Sequence, residues 1–417
     1  MSRVKGSLAL EQASSPLQRA MEYACQSEFY REKFRRAGLA PGQIREPEDL
    51  QALPFTTKDE LRECYPLKVK IPPEEELVRI HSSSGTTGQP VLIPYTKRDV
   101  EIWAEMMMRC YQMAGVTRQD RVQITPGYGL WTAGIGFQAG VEALGAMAIP
   151  TGPGNTQRQL TMMRDLGTTV LIGTSSYGLL LAEAASEARI LDQLQLKCAI
   201  LGSERWGDRM RERIEELLGI ETFDIYGLTE VYGPGIGIDC QLHSGIHYWS
   251  DYLIFEIIDP ATGVVLPPGE EGELVITTLV KEGLPLIRYR TRDLTRIIPE
   301  SCPCGSPYPR IQRIRGRSDD MIKIKGCNIF PAQIEQEIAK FPELAGEYRI
   351  TLERIEGRDQ MLLELEARAR ENGLAARFAA AVRDRTGMLP QVTLLRPGEL
   401  PRSEKKTKRV IDKRDLD

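Results

Sequence analysis

No run of about eighteen uninterrupted apolar residues occurs anywhere in the 417-residue chain, which excludes a membrane-spanning helix. The stretch from Met1 to Gln12 lacks the apolar core of an export signal, so the chain is expected in the cytoplasm, with no membrane partner. An excess of charge is also missing. Lys and Arg number 54 against 58 Asp and Glu, giving a net charge of −4 with the two signs interspersed, and nucleic acid is excluded as a partner. There are no internal repeats and no low-complexity segments. Eight cysteines in so long a chain do not make a disulfide frame and are expected as reduced thiols or metal ligands. Nothing sets the oligomeric state, and a homodimer stays open.

What is present is enough apolar content, 41%, to bury two or three cores. Directly after the apolar run Leu77–Ile80 comes Ser82-Ser83-Ser84-Gly85-Thr86-Thr87-Gly88-Gln89-Pro90. Glycines let a backbone approach an anion and turn its N–H groups inward, and the hydroxyls add further donors, so this reads as a polyphosphate cradle. It is not a Walker A loop, because Gln89 stands where a lysine would be needed. The plainer reading is a flexible Ser/Gly turn.

Helical periodicity runs over 14–38 and 96–114. Apolar runs then alternate with helical stretches: Val122–Thr125, Val170–Gly173, Cys198–Leu201 and Thr222–Ile225, the last feeding a loop expected at Tyr226–Glu230. This alternation predicts an α/β fold, a large N-terminal domain of mostly parallel sheets covered by helices. Ligands in such folds sit beyond the carboxyl ends of strands. A small antiparallel section is expected over 247–298, with a strand ending at Arg290. A small, mobile α+β C-terminal domain follows. The boundary is expected at Ser318-Asp319-Asp320, giving domains 1–318 and 319–417.

Cysteine and histidine give a partly independent signal. Cys302-Pro303-Cys304 is a tight thiol pair, and Cys240, His243 and His247 stand some sixty residues upstream, so a Cys₃His zinc site can be assembled. His247 is favoured by its position relative to Gly245, His243 by its shorter spacing from Cys240. The alternative is a set of unmetallated thiols. Four protein ligands would leave no open position, so such a zinc would be structural.

Taken together, several segments resemble the adenylate-forming acyl-CoA ligase superfamily and, within it, the phenylacetate-CoA ligase branch. They are Ser82–Pro90, Gly127–Thr132, Gly154–Gln159, Gly202–Trp206, Asp224–Glu230, Tyr289–Leu294, Gly316–Asp320 and Arg402–Lys406. The resemblance covers most of the chain, and some members of that branch carry similar cysteines. It implies that a carboxylate attacks the α-phosphate of ATP to give an acyl-adenylate, from which coenzyme A displaces AMP.

Roles follow from the resemblance. Ser82, Ser83, Ser84, Gly85, Thr86, Thr87 and Gly88 would hold the phosphates, and Glu230 would hold Mg²⁺. Gly202, Ser203, Glu204, Asp224, Tyr226, Gly227 and Thr229 would line the nucleotide slot, with Tyr226 near the adenine. Asp293 would accept the ribose hydroxyls, and Arg317 would contact ribose or phosphate. Lys406 would be the mobile catalytic lysine, although Lys405 replaces the usual preceding glycine. Asp319 would be the hinge, and Lys323, Lys325 and Gly326 would meet coenzyme A. Tyr128, Gly129, Trp131, Thr132 and Gly134 would hold an aryl or arylacetic acid. Other readings are a different acceptor, either a carrier protein or a deazaflavin hydroxyl, and a non-catalytic nucleotide-binding relative.

Overall fold

The structure, a computed structural model, describes residues 15–83, 89–320, 322–325, 327–355, 358–369, 371–401 and 409–414. Contacts divide the chain into two compact units. One comprises Met1–Gly115, Gly127–Leu144 and Tyr226–Arg313, and the other Val116–Pro126, Gly145–Ile225 and Ile314–Asp417.

The first unit opens with two helices where periodicity predicted one. Pro16–Ala24 starts from a Ser15/Gln18 capping box, and Glu28–Ala37 ends at Gly38 with φ 67°. Strands Leu77–Ser82 and Leu92–Thr96 then form an antiparallel pair. Thr96 and Asp99 cap the helix Lys97–Met113, which buries Ile102, Trp103, Met106 and Tyr111. Helix Ala133–Leu144 can lie close on it because Gly136 has no Cβ; one there would come 2.1 Å from Trp103. Strands Leu253–Ile258, Gly272–Thr278 and Tyr289–Thr295 pair antiparallel. So do Gly233–Asp239, Ile246–Tyr248, Arg310–Ile311 and Ile297–Ile298. The antiparallel part therefore begins at Gly233 rather than His247, in a strand whose glycine-rich sequence hides its period.

In the second unit, five parallel strands run in the order Met147–Ile149, Arg121–Ile124, Val170–Thr174, Cys198–Gly202 and Glu221–Leu228, the last contributing as far as Ile225. Val170–Thr174 and Cys198–Gly202 are buried along their whole length, which is why they read as continuous apolar runs. Helices Thr156–Asp165, Ser175–Glu187 and Asp208–Leu218 enclose a core of Leu160, Tyr177, Leu181, Leu201, Trp206 and Ile214. The C-terminal part has a hairpin, Ile322–Ile324 with Cys327–Ile329. It also has a four-stranded sheet in the order Gln391–Leu395, Arg358–Ala367, Leu344–Ile355 and Val410–Asp412. Helices Pro331–Ala339 and Leu374–Thr386 pack on it around Ile334, Tyr348, Leu363 and Phe378. The α/β architecture expected from sequence is present. Among the described residues, no helix is long and apolar enough to cross a membrane.

Candidate functional site

The Ser/Thr loop is held at its stem. Ser83 N–H donates to the Val91 carbonyl at 3.0 Å, and Val91 N–H returns the bond to Ser83 Oγ at 3.1 Å. Ser82 N–H donates to Leu130 O at 2.8 Å, tying the stem to the Gly127–Thr132 turn. Ser84, Gly85, Thr86, Thr87 and Gly88 lie outside the described residues, as do Gly326 and Lys406.

Tyr226, Gly227 and Leu228 are not on a loop, as expected, but on the last residues of strand Glu221–Leu228. A Cβ on Gly227 would stand 2.0 Å from the Gly233 carbonyl, so two backbones meet there that only glycine allows so close. The strand end fixes Tyr226, whose hydroxyl donates to Asp293 Oδ2 at 2.6 Å. Asp293 is likewise inside a strand, Tyr289–Thr295, which runs past the end expected at Arg290. The pair is buried within the first unit.

The turn after Leu228 is closed by Val231 and Tyr232 N–H bonds to the Leu228 carbonyl. Thr229 Oγ1 lies 3.3 Å from Thr132 Oγ1. Glu230 is 5% exposed. Its Oε1 forms an ion pair with Lys58 Nζ at 2.8 Å. A buried carboxylate of this kind, paired with a single cation, has the oxygen chemistry a hard cation prefers. Sequence reading missed Lys58, whose only local signal is its place just after the Thr57 cap of helix Lys58–Glu63.

The residues expected to hold the acid are less enclosed. Tyr128 and Trp131 are 40% and 37% exposed, whereas Thr132 is buried and Gly134 stands in the first turn of its helix.

In the second unit, Gly202 ends its strand and Ser203 takes φ 65°. Glu204 is buried and accepts a short bond from Ser176 Oγ, with Arg409 Nη1 at 3.9 Å. Arg409 also pairs with Glu347 at 2.9 Å and donates to the Arg205 carbonyl at 3.2 Å. Asp224 is partly buried on its strand. Arg317 and Asp319 form a two-pronged ion pair at 2.9 Å, half in solvent and so of small energetic weight. Lys325 is exposed with φ 47°.

The cysteine cluster assembles in the first unit. The ligand atoms of Cys240, His247, Cys302 and Cys304 lie within 4.8 Å of one another. Cys240 Sγ and Cys302 Sγ are 3.7 Å apart, close to the edge of about 3.8 Å in a tetrahedron with Zn–S bonds of about 2.3 Å. His247 Nδ1 donates to the Tyr308 carbonyl at 2.8 Å, which turns Nε2 toward Cys304 Sγ at 3.5 Å. Of the two histidines, His247 lies with the three thiols, while His243 is paired with Asp239 at 2.9 Å. Burial pushes the Cys302 thiol up. The Cys304 amide and thiol, Ser244 and His247 outweigh this and bring it down to about 6.

The family model described as AMP-binding enzyme matches residues 24–279, more than half the chain, and the AMP-binding enzyme C-terminal domain matches 326–414. The chain belongs to the AMP-binding enzyme family. Within this family it is similar to the phenylacetate-coenzyme A ligase of Pseudomonas putida, 42% identical over 93% of this chain and 90% of that protein. It is also similar to that of Escherichia coli, 40% identical over 93% and 91%. Among solved structures, this AMP-binding enzyme superposes on 2-hydroxyisobutyryl-CoA ligase in the postadenylation state in complex with 2-HIB-AMP. That match has a TM-score of 0.86 and 30% identity over 95% of this chain and 88% of that one.

Proposed function

We propose that the chain activates an aryl or arylacetic carboxylic acid, of the phenylacetate class, with ATP and passes the acyl group to coenzyme A. In the first half-reaction a carboxylate oxygen bonds to the α-phosphorus and pyrophosphate leaves. In the second, the thiol sulfur of coenzyme A bonds to the acyl carbon, its proton is lost and AMP leaves. A carboxylate is a poor nucleophile toward a polyanion, so the work falls on positioning and charge neutralisation. The observation that carries the reading is that one unit holds the Ser83 stem, the Tyr226–Asp293 pair and the buried Glu230 carboxylate paired with Lys58.

In this reading Asp293, oriented by Tyr226, takes the ribose hydroxyls, and Glu230 holds Mg²⁺, which would neutralise phosphate charge. Gly202, Ser203, Glu204 and Asp224 are assigned to the nucleotide by the family resemblance. Thr86, Thr87 and the loop amides cradle the phosphates. Tyr128, Gly129, Trp131, Thr132 and Gly134 receive the acid. Lys406 neutralises charge between acyl oxygen and phosphate, and Lys325 and Gly326 meet coenzyme A. The domain break is placed at 318/319, supported by the gap between the two matched family segments; Asp319 is the hinge. Cys240, His247, Cys302 and Cys304 hold a structural Zn²⁺, supported by the distances and by the His247–Tyr308 bond. The cytoplasm is the proposed location. Pyrophosphate release over a panel of aromatic acids, with and without coenzyme A, tests the function. Release with no aromatic acid, or turnover indifferent to coenzyme A, would refute it.

A further inference from the structure

Among the described residues, Lys281 is the one charged group in the set of largest fully buried side chains, and the chemistry above does not use it. Its ammonium donates to the Val231 carbonyl, in the turn that carries Glu230. It lies 4.4 Å from the ring centroid of Tyr95 and 4.3 Å from that of Tyr232, within the range of cation–π attraction. Those two tyrosines are themselves tied, Tyr95 Oη donating to the Tyr232 carbonyl at 2.8 Å. Tyr95 belongs to the strand Leu92–Thr96, paired with Leu77–Ser82, whose His81 packs edge-on against Tyr95 at 5.4 Å. On the far side, Asp99 accepts the backbone N–H groups of Glu282 and Gly283 at 2.8 Å and so fixes the segment just after Lys281. One buried amine thus joins the Glu230 turn to the hairpin that bears Ser82.

A structural filler would not need a nitrogen here. A methionine of similar volume would occupy the same space without the cost of burying an amine. What the amine adds is a fixed donor to one carbonyl of the Glu230 turn. Burial lowers its pKa to about 7, against the pull of Asp99 and Glu230. Protonated or neutral, it retains an N–H for Val231.

We propose that Lys281 is a positioning residue for the adenylation step. It holds the Leu228–Tyr232 turn so that the Glu230 carboxylate is presented to the cation that accompanies ATP. The proposal rests on the magnesium reading of Glu230.

The test compares Lys281→Met, Lys281→Arg and Glu230→Gln by pyrophosphate release, titrating Mg²⁺ at fixed ATP and then ATP at saturating Mg²⁺, with thermal melting of each protein. Lys281→Met is expected to need about tenfold more Mg²⁺ for half-maximal rate and to lose about tenfold in kcat/KM for ATP. KM for the acid should stay within about twofold, and Lys281→Arg should recover part of the loss. Unchanged Mg²⁺ dependence in Lys281→Met, or an equal change in the KM of the acid, would overturn the proposal. Should Lys281→Met fail to fold, Tyr95→Phe cuts the Tyr95–Tyr232 bond and should shift the Mg²⁺ requirement in the same direction; no shift would overturn it. Wild-type Mg²⁺ dependence in Glu230→Gln would remove the magnesium reading and the proposal together. A shifted Glu230→Gln beside an unshifted Lys281→Met would overturn the proposal alone.

Discussion

Tyr226 and Asp293, 67 residues apart in the chain, meet through a buried hydrogen bond of 2.6 Å from phenol to carboxylate. Each stands inside a strand, so neither side chain depends on a loop for its place. The bond turns the carboxylate, whose two oxygens are the acceptor type a diol would need. Hydrogen bonds to charged groups contribute about 1.5–3 kcal/mol. Asp293→Ala is therefore expected to lower kcat/KM for ATP by about tenfold to a hundredfold and to erase most of the discrimination between ATP and 2′-deoxy-ATP. Tyr226→Phe should do less, about two- to tenfold. Steady-state kinetics with both nucleotides checks this; undiminished discrimination in Asp293→Ala would remove the ribose role.

Lys58 and Glu230 form a contact of 2.8 Å in which the carboxylate is nearly buried and the ammonium is partly in solvent. Removing one partner of a buried pair leaves an uncompensated charge, but solvent around Lys58 softens the effect to about 1–2 kcal/mol. Lys58→Met is expected to lower the melting temperature, and millimolar Mg²⁺ should raise it again by more than it raises that of the wild type. Equal Mg²⁺ shifts in the two proteins would speak against a cation at Glu230.

The proposed zinc site separates the two histidines. Cys302→Ser and His247→Ala should each reduce bound zinc from about one per chain toward none and destabilise the protein by several kcal/mol. His243→Ala, whose imidazole faces Asp239, should keep its zinc. Metal analysis with melting curves decides the matter, and an equally stable, metal-free wild type would rule the site out.

Asp120 offers a pH prediction. Burial would raise its carboxyl, but Lys197 Nζ at 2.7 Å, the Thr117 amide at 2.7 Å and the Thr169 hydroxyl at 2.8 Å outweigh this and hold it below its ordinary value. The unfolded aspartate therefore takes up its proton at a higher pH than the folded one. Its contribution is complete above the unfolded pKa and disappears as pH falls through the folded one. Asp120→Asn should lose about 1–3 kcal/mol at pH 7 and show a shallower acid dependence of urea unfolding. A slope like that of the wild type would contradict the argument.

How much of this was legible in the chain follows from what each feature depends on. The parallel strands showed because burial on both faces makes them apolar throughout, as at Val170–Thr174 and Cys198–Gly202. The cluster of Cys240, His247, Cys302 and Cys304 could be read from residue type and spacing, although only the structure shows which histidine lies beside the thiols. Strand Gly233–Asp239 stayed hidden because glycines carry no side-chain period. Lys58 and Lys281 stayed hidden because a lysine is ordinarily a solvated surface residue, and only long-range packing brings these two to the Glu230 turn.

Lys406 lies outside the described residues, three positions before Arg409, which is anchored to Glu347 and the Arg205 carbonyl. If its ammonium neutralises charge developing between the acyl oxygen and the α-phosphate, it acts only while the anhydride bond forms. Loss of one such fixed donor typically costs about a hundredfold to a thousandfold in rate. Lys406→Ala should accordingly lower acyl-adenylate formation from acid and ATP by that factor. Thioester formation from preformed acyl-adenylate and coenzyme A should stay within about threefold. Rapid-quench measurement of the two half-reactions gives the answer. Equal loss in both would assign Lys406 a structural part, and a selective loss in Lys405→Ala or Lys408→Ala instead would move the catalytic role to that neighbour.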